Sequence, residues 1–236
     1  MGESTVTVRT RTRDEIRTVE FATPARRNAV SPADLTRLEY ALRHAERVGD
    51  PVVYLTGVGD AFCAGADLDA VASLSDPAAF ARHGARVARL IAECDPVVVA
   101  GIDGPARGGG VELALACDLR IATPEATFAE SGVRLGLFGA WGGTARLPRI
   151  VGEGNALDLS LSGRTIDAEE ARRIGLVSRI TDDPFEVAVE LAANPPAALR
   201  GITRRIRDRS DVDAQERAEA ELFARLYGRF GEDIDR

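Results

Sequence analysis

Two short apolar runs constrain this chain more than any other feature. Val52–Leu55 and Val97–Ile102 show no polar alternation, so each reads as a strand buried on both faces. Each is followed by a turn of small residues. The first is Ala61-Phe62-Cys63-Ala64-Gly65-Ala66-Asp67-Leu68, and the second is Gly104-Pro105-Ala106-Arg107-Gly108-Gly109-Gly110-Val111-Glu112. Helix signals surround them. Ser31-Pro32 opens a helix with Leu35, Leu38, Leu42 and Ala45 on one face, and Asp76-Pro77 opens another that runs to Glu93. Gly108–Cys117 reads as helix and Leu119–Ala122 as strand. Buried strands alternating with helices imply an α/β fold with parallel pairing.

Ahead of this core, Thr5–Thr10 and Ile16–Ala22 alternate around Arg13-Asp14 and read as a hairpin. From Gly142 onward the balance shifts to helix: Asn155–Leu161, Asp167–Ile174, Pro184–Ala193, Pro195–Arg207 and Asp213–Tyr227, with one late strand at Val177–Ile180. Gly228–Arg236 reads as a frayed end.

Composition narrows the chemistry. All 30 basic residues are arginine, which rules out a lysine Schiff base and a Walker A lysine. The net charge of −7 argues against nucleic-acid and anionic-membrane partners. No stretch approaches the ~18 apolar residues of a membrane span. Three cysteines without a CxxC pattern, and two histidines, point to neither a disulfide framework, a metal site nor a serine triad, and a reducing cytoplasm is expected.

The glycine turns are the candidate chemistry. Small residues between a buried strand and a helix start let a ligand approach the backbone and leave N–H groups to point at it. Two such groups converging on one point would form an oxyanion hole. Either turn alone is equally a tight strand-to-helix connection.

Taken together, the residues resemble a known family. Arg27-Asn28-Ala29, AFCAGADL at 61–68, the GGGVELALACD run beginning at Gly108, and Gly142-Gly143-Thr144-x-Arg146-Leu147-Pro148 are similar, in order, to the crotonase superfamily of enoyl-CoA hydratases and isomerases. The resemblance implies a crotonase-like spiral of ββα units over residues 1–194. It also implies a shortened helical trimerisation region over 195–236, and a homotrimer or dimer of trimers. The substrate would be a CoA thioester, with no cofactor. The thioester carbonyl would be held by the N–H groups of Ala66 and Gly109, with Glu112 as acid/base. Arg26, Arg27, Ala29, Ala64, Ala66, Asp67 and Leu68 would contact CoA.

The chain also departs from the family. A second glutamate is expected four residues after Phe128, where Gly132 stands. Glu130 lies two residues earlier; in a strand it would share a side with Gly132, and it could substitute, or be solvent-facing or structural. Arg107 and Arg134 could bind a substrate carboxylate if they enter the pocket. Trp141 could narrow the acyl pocket, stack on an aromatic acyl group or simply pack, and Asp60 puts a negative charge where the family places a cation for CoA. The readings that follow are hydration or isomerisation of an enoyl-CoA first, then decarboxylation relying on the oxyanion hole, then a catalytically impaired helper subunit.

Overall fold

The computed structural model describes residues 7–231 except Asp14; Thr5, Val6 and the segment 232–236 lie outside the described residues. The elements run β1 (Val8–Arg13), β2 (Ile16–Phe21), α1 (Pro32–Val48), β3 (Val52–Gly57), α2 (Leu68–Ala72), α3 (Pro77–Glu93) and β4 (Val97–Ile102). There follow β5 (Pro105–Arg107), α4 (Gly109–Ala116), β6 (Leu119–Ala122), β7 (Thr127–Ala129), α5 (Gly143–Val151) and α6 (Glu153–Ser162). The chain continues through β8 (Ile166–Asp167), α7 (Ala168–Arg173), β9 (Arg179–Ile180), α8 (Pro184–Ala192), α9 (Pro196–Arg207) and α10 (Val212–Phe230).

The main sheet has the order β1-β2-β3-β4-β6-β9. β1 and β2 pair antiparallel, closing with Arg13 opposite Ile16, and every other pair is parallel. All residues of β3 and β4 are buried, which is why these strands carry no polar alternation. Their side chains still divide with period two. Val53, Leu55, Val98, Ala100 and Ile102 join the core that includes α1 and α3, whereas Val52, Tyr54, Val97 and Val99 join a second core with Val187 and Leu199 of α8 and α9. Each valine, leucine or isoleucine among them contributes about 1.5–3 kcal/mol by leaving water. A smaller sheet, β5-β7-β8, takes its first strand from within the second glycine turn.

α1 starts as its sequence dictates. Ser31 and Asp34 form a reciprocal capping box, Pro32 takes the first turn, and Gly49 ends the helix at φ +80°. Two expectations change. Residues 128–132 are not one strand: β7 ends at Ala129 and a 3-10 turn covers Ser131–Leu135, closed by Gly136 at φ +71°. The end of the last helix is not frayed at Gly228, since α10 continues to Phe230.

Candidate active site

The two glycine turns are stitched together by backbone. The Cys63 N–H donates to Pro105 O at 3.2 Å and the Arg107 N–H donates to Cys63 O at 2.9 Å. Gly65 adopts φ +88°, and a Cβ there would lie 2.5 Å from Arg107 O and 3.0 Å from Gly109 N. Only glycine allows that approach. Around it the amides are spent: Ala64 N–H on Arg27 O, Val30 N–H on Gly65 O, and Asp67 N–H on Val30 O. Among the described residues the Ala66 N–H has no acceptor. Gly109 is the first residue of α4, so its N–H has no intrahelical acceptor either. Both residues line one cavity of about 440 Å³.

Asn28 holds the first turn in place. Its fully buried side chain accepts from Thr23 N and donates to Val58 O and Ala61 O. Its backbone sits at φ +58°, a conformation asparagine tolerates better than most residues.

Glu112 lies on α4, every residue of which is buried. One carboxylate oxygen accepts the N–H groups of Trp141 and Gly143, each at 2.7 Å. Burial pushes this carboxyl up to about 7, opposed by those two amides and the Arg146 guanidinium. Glu130 follows β7 and lines the same cavity. It is 7% exposed, and its Oε1 has no hydrogen-bond partner among the described residues. Burial first, then the negative Glu112, raises its carboxyl to about 8. A Cβ on Gly139 would lie 2.9 Å from Glu112 Oε1 and 3.4 Å from Glu130 Oε2, so the two carboxyls flank the same glycine. Glu130 is therefore buried in the cavity wall and not solvent-facing.

The cavity is otherwise apolar. Trp141 is buried against the bare faces of Gly84 and Gly109 and meets Phe80 edge-on at 5.5 Å. Leu68, Leu135, Leu137 and Phe138 form an exposed rim. Ala64 and Leu68 line the cavity, while Asp67 is buried and caps α2 through Asp69 N and Ala70 N.

The arginines are placed differently from the expectation. Arg107 does not line the cavity: its guanidinium donates to Ala106 O, Thr127 O and Thr127 Oγ1, which ties it to β7. Arg134 does not line it either, and lies beside Gly163. Arg26 is ion-paired with Asp67 and Asp69, whereas Arg27 is exposed one residue before Asn28. Ala29 closes the same loop by donating to Arg26 O, and Asp60 is exposed. Cys63 is an inert buried thiol, raised by burial to about 12. His83 sits 3.7 Å from Glu39 and does not line the cavity. Asn28 as the anchor of the turn, Gly139 as the site between the carboxyls, and Ser131 in the wall were not singled out from sequence; only Asn28 carried a signal, its place in the Arg27-Asn28-Ala29 motif.

A family model described as enoyl-CoA hydratase/isomerase matches residues 11–233. The chain belongs to the enoyl-CoA hydratase/isomerase family. It is 43% identical over 189 residues to "Probable enoyl-CoA hydratase echA14" of Mycobacterium tuberculosis, covering 76% of this chain and 71% of that protein. It is 31% identical over 226 residues to the short-chain-enoyl-CoA hydratase of Clostridium acetobutylicum, covering 90% and 86%. The enoyl-CoA hydratase structure from Thermoplasma volcanium superposes with a TM-score of 0.89 at 30% identity over 94% of this chain and 92% of that one. The fold is thus the crotonase fold, and the chain is similar throughout to enzymes of this family. No helix among the described residues is long and apolar enough to cross a membrane.

Proposed function

We propose that this protein hydrates an enoyl-CoA, or shifts its double bond, by stabilising a thioester enolate. The observation that carries the reading is that Ala66, whose N–H has no acceptor among the described residues, Gly109, the first residue of α4, and Glu112 all line one apolar cavity. A thioester carbonyl seated on the two amides gains charge as the enolate forms, and preorganised donors stabilise that charge without reorganising. The positive end of α4 adds to the same point. Glu112 is held in one orientation by Trp141 N and Gly143 N in the wall of the same cavity, and in this reading acts as the base.

The nucleotide end of CoA would meet Arg27, because Arg26 is already engaged by two aspartates. α9 and α10 expose Ile202, Ile206, Phe223 and Tyr227, which supports their use in assembly into a trimer or dimer of trimers. The test is hydration of crotonyl-CoA and longer enoyl-CoAs by the wild type and Glu112→Gln. The reading expects wild-type turnover and a loss of roughly 10²–10⁴-fold in kcat. Turnover unchanged by the substitution would remove Glu112 from the mechanism.

A further inference from the structure

Glu130 is a buried carboxyl with an unpartnered oxygen, and nothing in the fold explains it. Among the described residues its side chain makes no ion pair and, although the residue precedes the 3-10 turn, no capping hydrogen bond. Burying an acid without a partner costs stability, so such a group is retained for chemistry more readily than for packing. Three observations place it. Its Oε2 and the Oε1 of Glu112 both border the space over Gly139. It lines the large apolar cavity that holds Ala66 and Gly109. It also lines a second cavity of about 20 Å³, shared with Thr144 and Ser160, and a cavity of that size holds roughly one water molecule.

We propose that Glu130 is the second catalytic carboxyl of this site, the proton donor that works against Glu112 as base. The proposal rests on the enoyl-CoA reading above. The assignment of roles follows from hydrogen bonding. Glu112 accepts two backbone N–H groups and is favoured in its charged form by the Arg146 guanidinium, which itself donates to Trp141 O, so it holds the negative charge. Glu130 accepts nothing at Oε1 and lies beside that charge, so it holds the proton. Two neighbouring carboxyls that share one proton split into an acid and a base in this way.

The step balances. Water adds its oxygen to Cβ of the enoyl thioester while Glu112 takes the released proton. The electron pair of the double bond moves to the thioester oxygen, held by the Ala66 and Gly109 amides. The enolate collapses as Glu130 gives its proton to Cα. Glu112 is left protonated and Glu130 ionised, and the proton passes between the two adjacent carboxyls to restore the starting state. The small cavity provides a second route for that return, since Thr144 is exposed to solvent.

The charged and titratable groups that bear on the pair are Glu112 from α4 and Arg146 from α5, with the hydroxyls of Ser131, Thr144 and Ser160 around Glu130. The test is crotonyl-CoA hydration by wild type, Glu112→Gln and Glu130→Gln as full-length chains. Equilibrium binding of butyryl-CoA and thermal unfolding of each are measured alongside. The expected result is a kcat loss of roughly 10²–10⁴-fold in Glu130→Gln, with butyryl-CoA affinity within a few-fold and unfolding intact. The alkaline fall of the wild-type pH–rate profile should vanish in that variant. Glu130→Asp, which keeps an acid, should recover part of the rate. A Glu130→Gln enzyme with at least half the wild-type kcat and an unchanged pH profile would overturn the inference and leave the parent reading standing. A wild type that turns over no enoyl-CoA would overturn both.

Discussion

One wall of the cavity is made of backbone and the other of side chains. Ala66 and Gly109 offer only amides, and their placement depends on the strand-to-turn joins, Asn28, and the touching of Gly65 and Gly109. Glu112 and Glu130 offer carboxyls that flank one glycine, and Glu112 is further placed by the amides of Trp141 and of Gly143 at the start of α5. The backbone wall cannot be altered by exchanging one side chain without disturbing the turn. The carboxyl wall can change while the fold stays the same. Chemistry can therefore diverge on the second wall while the first keeps the same backbone donors.

The largest effect should come from breaking the carboxyl wall alone. Glu112→Gln and Glu130→Gln together should lose little more than either alone, because acid and base act as a unit and losses of roughly 10²–10⁴-fold each do not multiply. Multiplicative losses in crotonyl-CoA turnover would show that the two carboxyls act independently. Breaking the backbone wall should appear first in stability. Asn28→Ala removes three hydrogen bonds and puts alanine at φ +58°, so denaturant unfolding should show a loss of about 2–4 kcal/mol. Asn28→Gly should recover the part due to backbone strain.

A smaller effect probes the packing that joins the walls. Three atoms of the Trp141 indole lie 2.2–2.4 Å from where a Gly84 Cβ would be. Gly84→Ala should cost about 1–3 kcal/mol by overpacking, although alanine in the middle of α3 would otherwise favour the helix. In a Trp141→Ala background the same change should become stabilising by a few tenths to about 1 kcal/mol. The smallest effect is on pH dependence. The folded state raises the Glu130 carboxyl to about 8, so it binds a proton more tightly than the unfolded chain does. That contribution is complete below the unfolded value and is lost as pH rises through the folded one. The wild-type Tm should accordingly fall more steeply than that of Glu130→Gln between about pH 6 and about pH 9. Parallel curves would indicate that Glu130 titrates normally.

The backbone wall was legible in sequence because its signals are local. Apolar runs at Val52–Leu55 and Val97–Ile102, each leading into small residues, dictate both strands and turns. The carboxyl wall was legible only in half. Glu112 sits one turn into a helix that the sequence marks clearly. Glu130 was named only as a possible pocket residue, and its backbone was read as strand, because β7 is three residues long and gives no periodicity, so the change to a 3-10 turn at Ser131 could not be seen. α5 carries Pro148 within it, which hides a helix whose first amide, Gly143 N, helps orient Glu112. Arg107 looked free to reach a ligand because its partners, the backbone and hydroxyl of Thr127, come from a strand-pairing 20 residues away.

The central claim is that the two amides stabilise an enolate at this cavity. Acetoacetyl-CoA tests it directly, since its keto and enolate forms differ in ultraviolet absorbance. The protein should bind it and shift it toward the enolate at a pH where the free thioester is mostly keto, and should still do so in Glu130→Gln. Binding without any enolate signal, or no binding at all, would contradict the account.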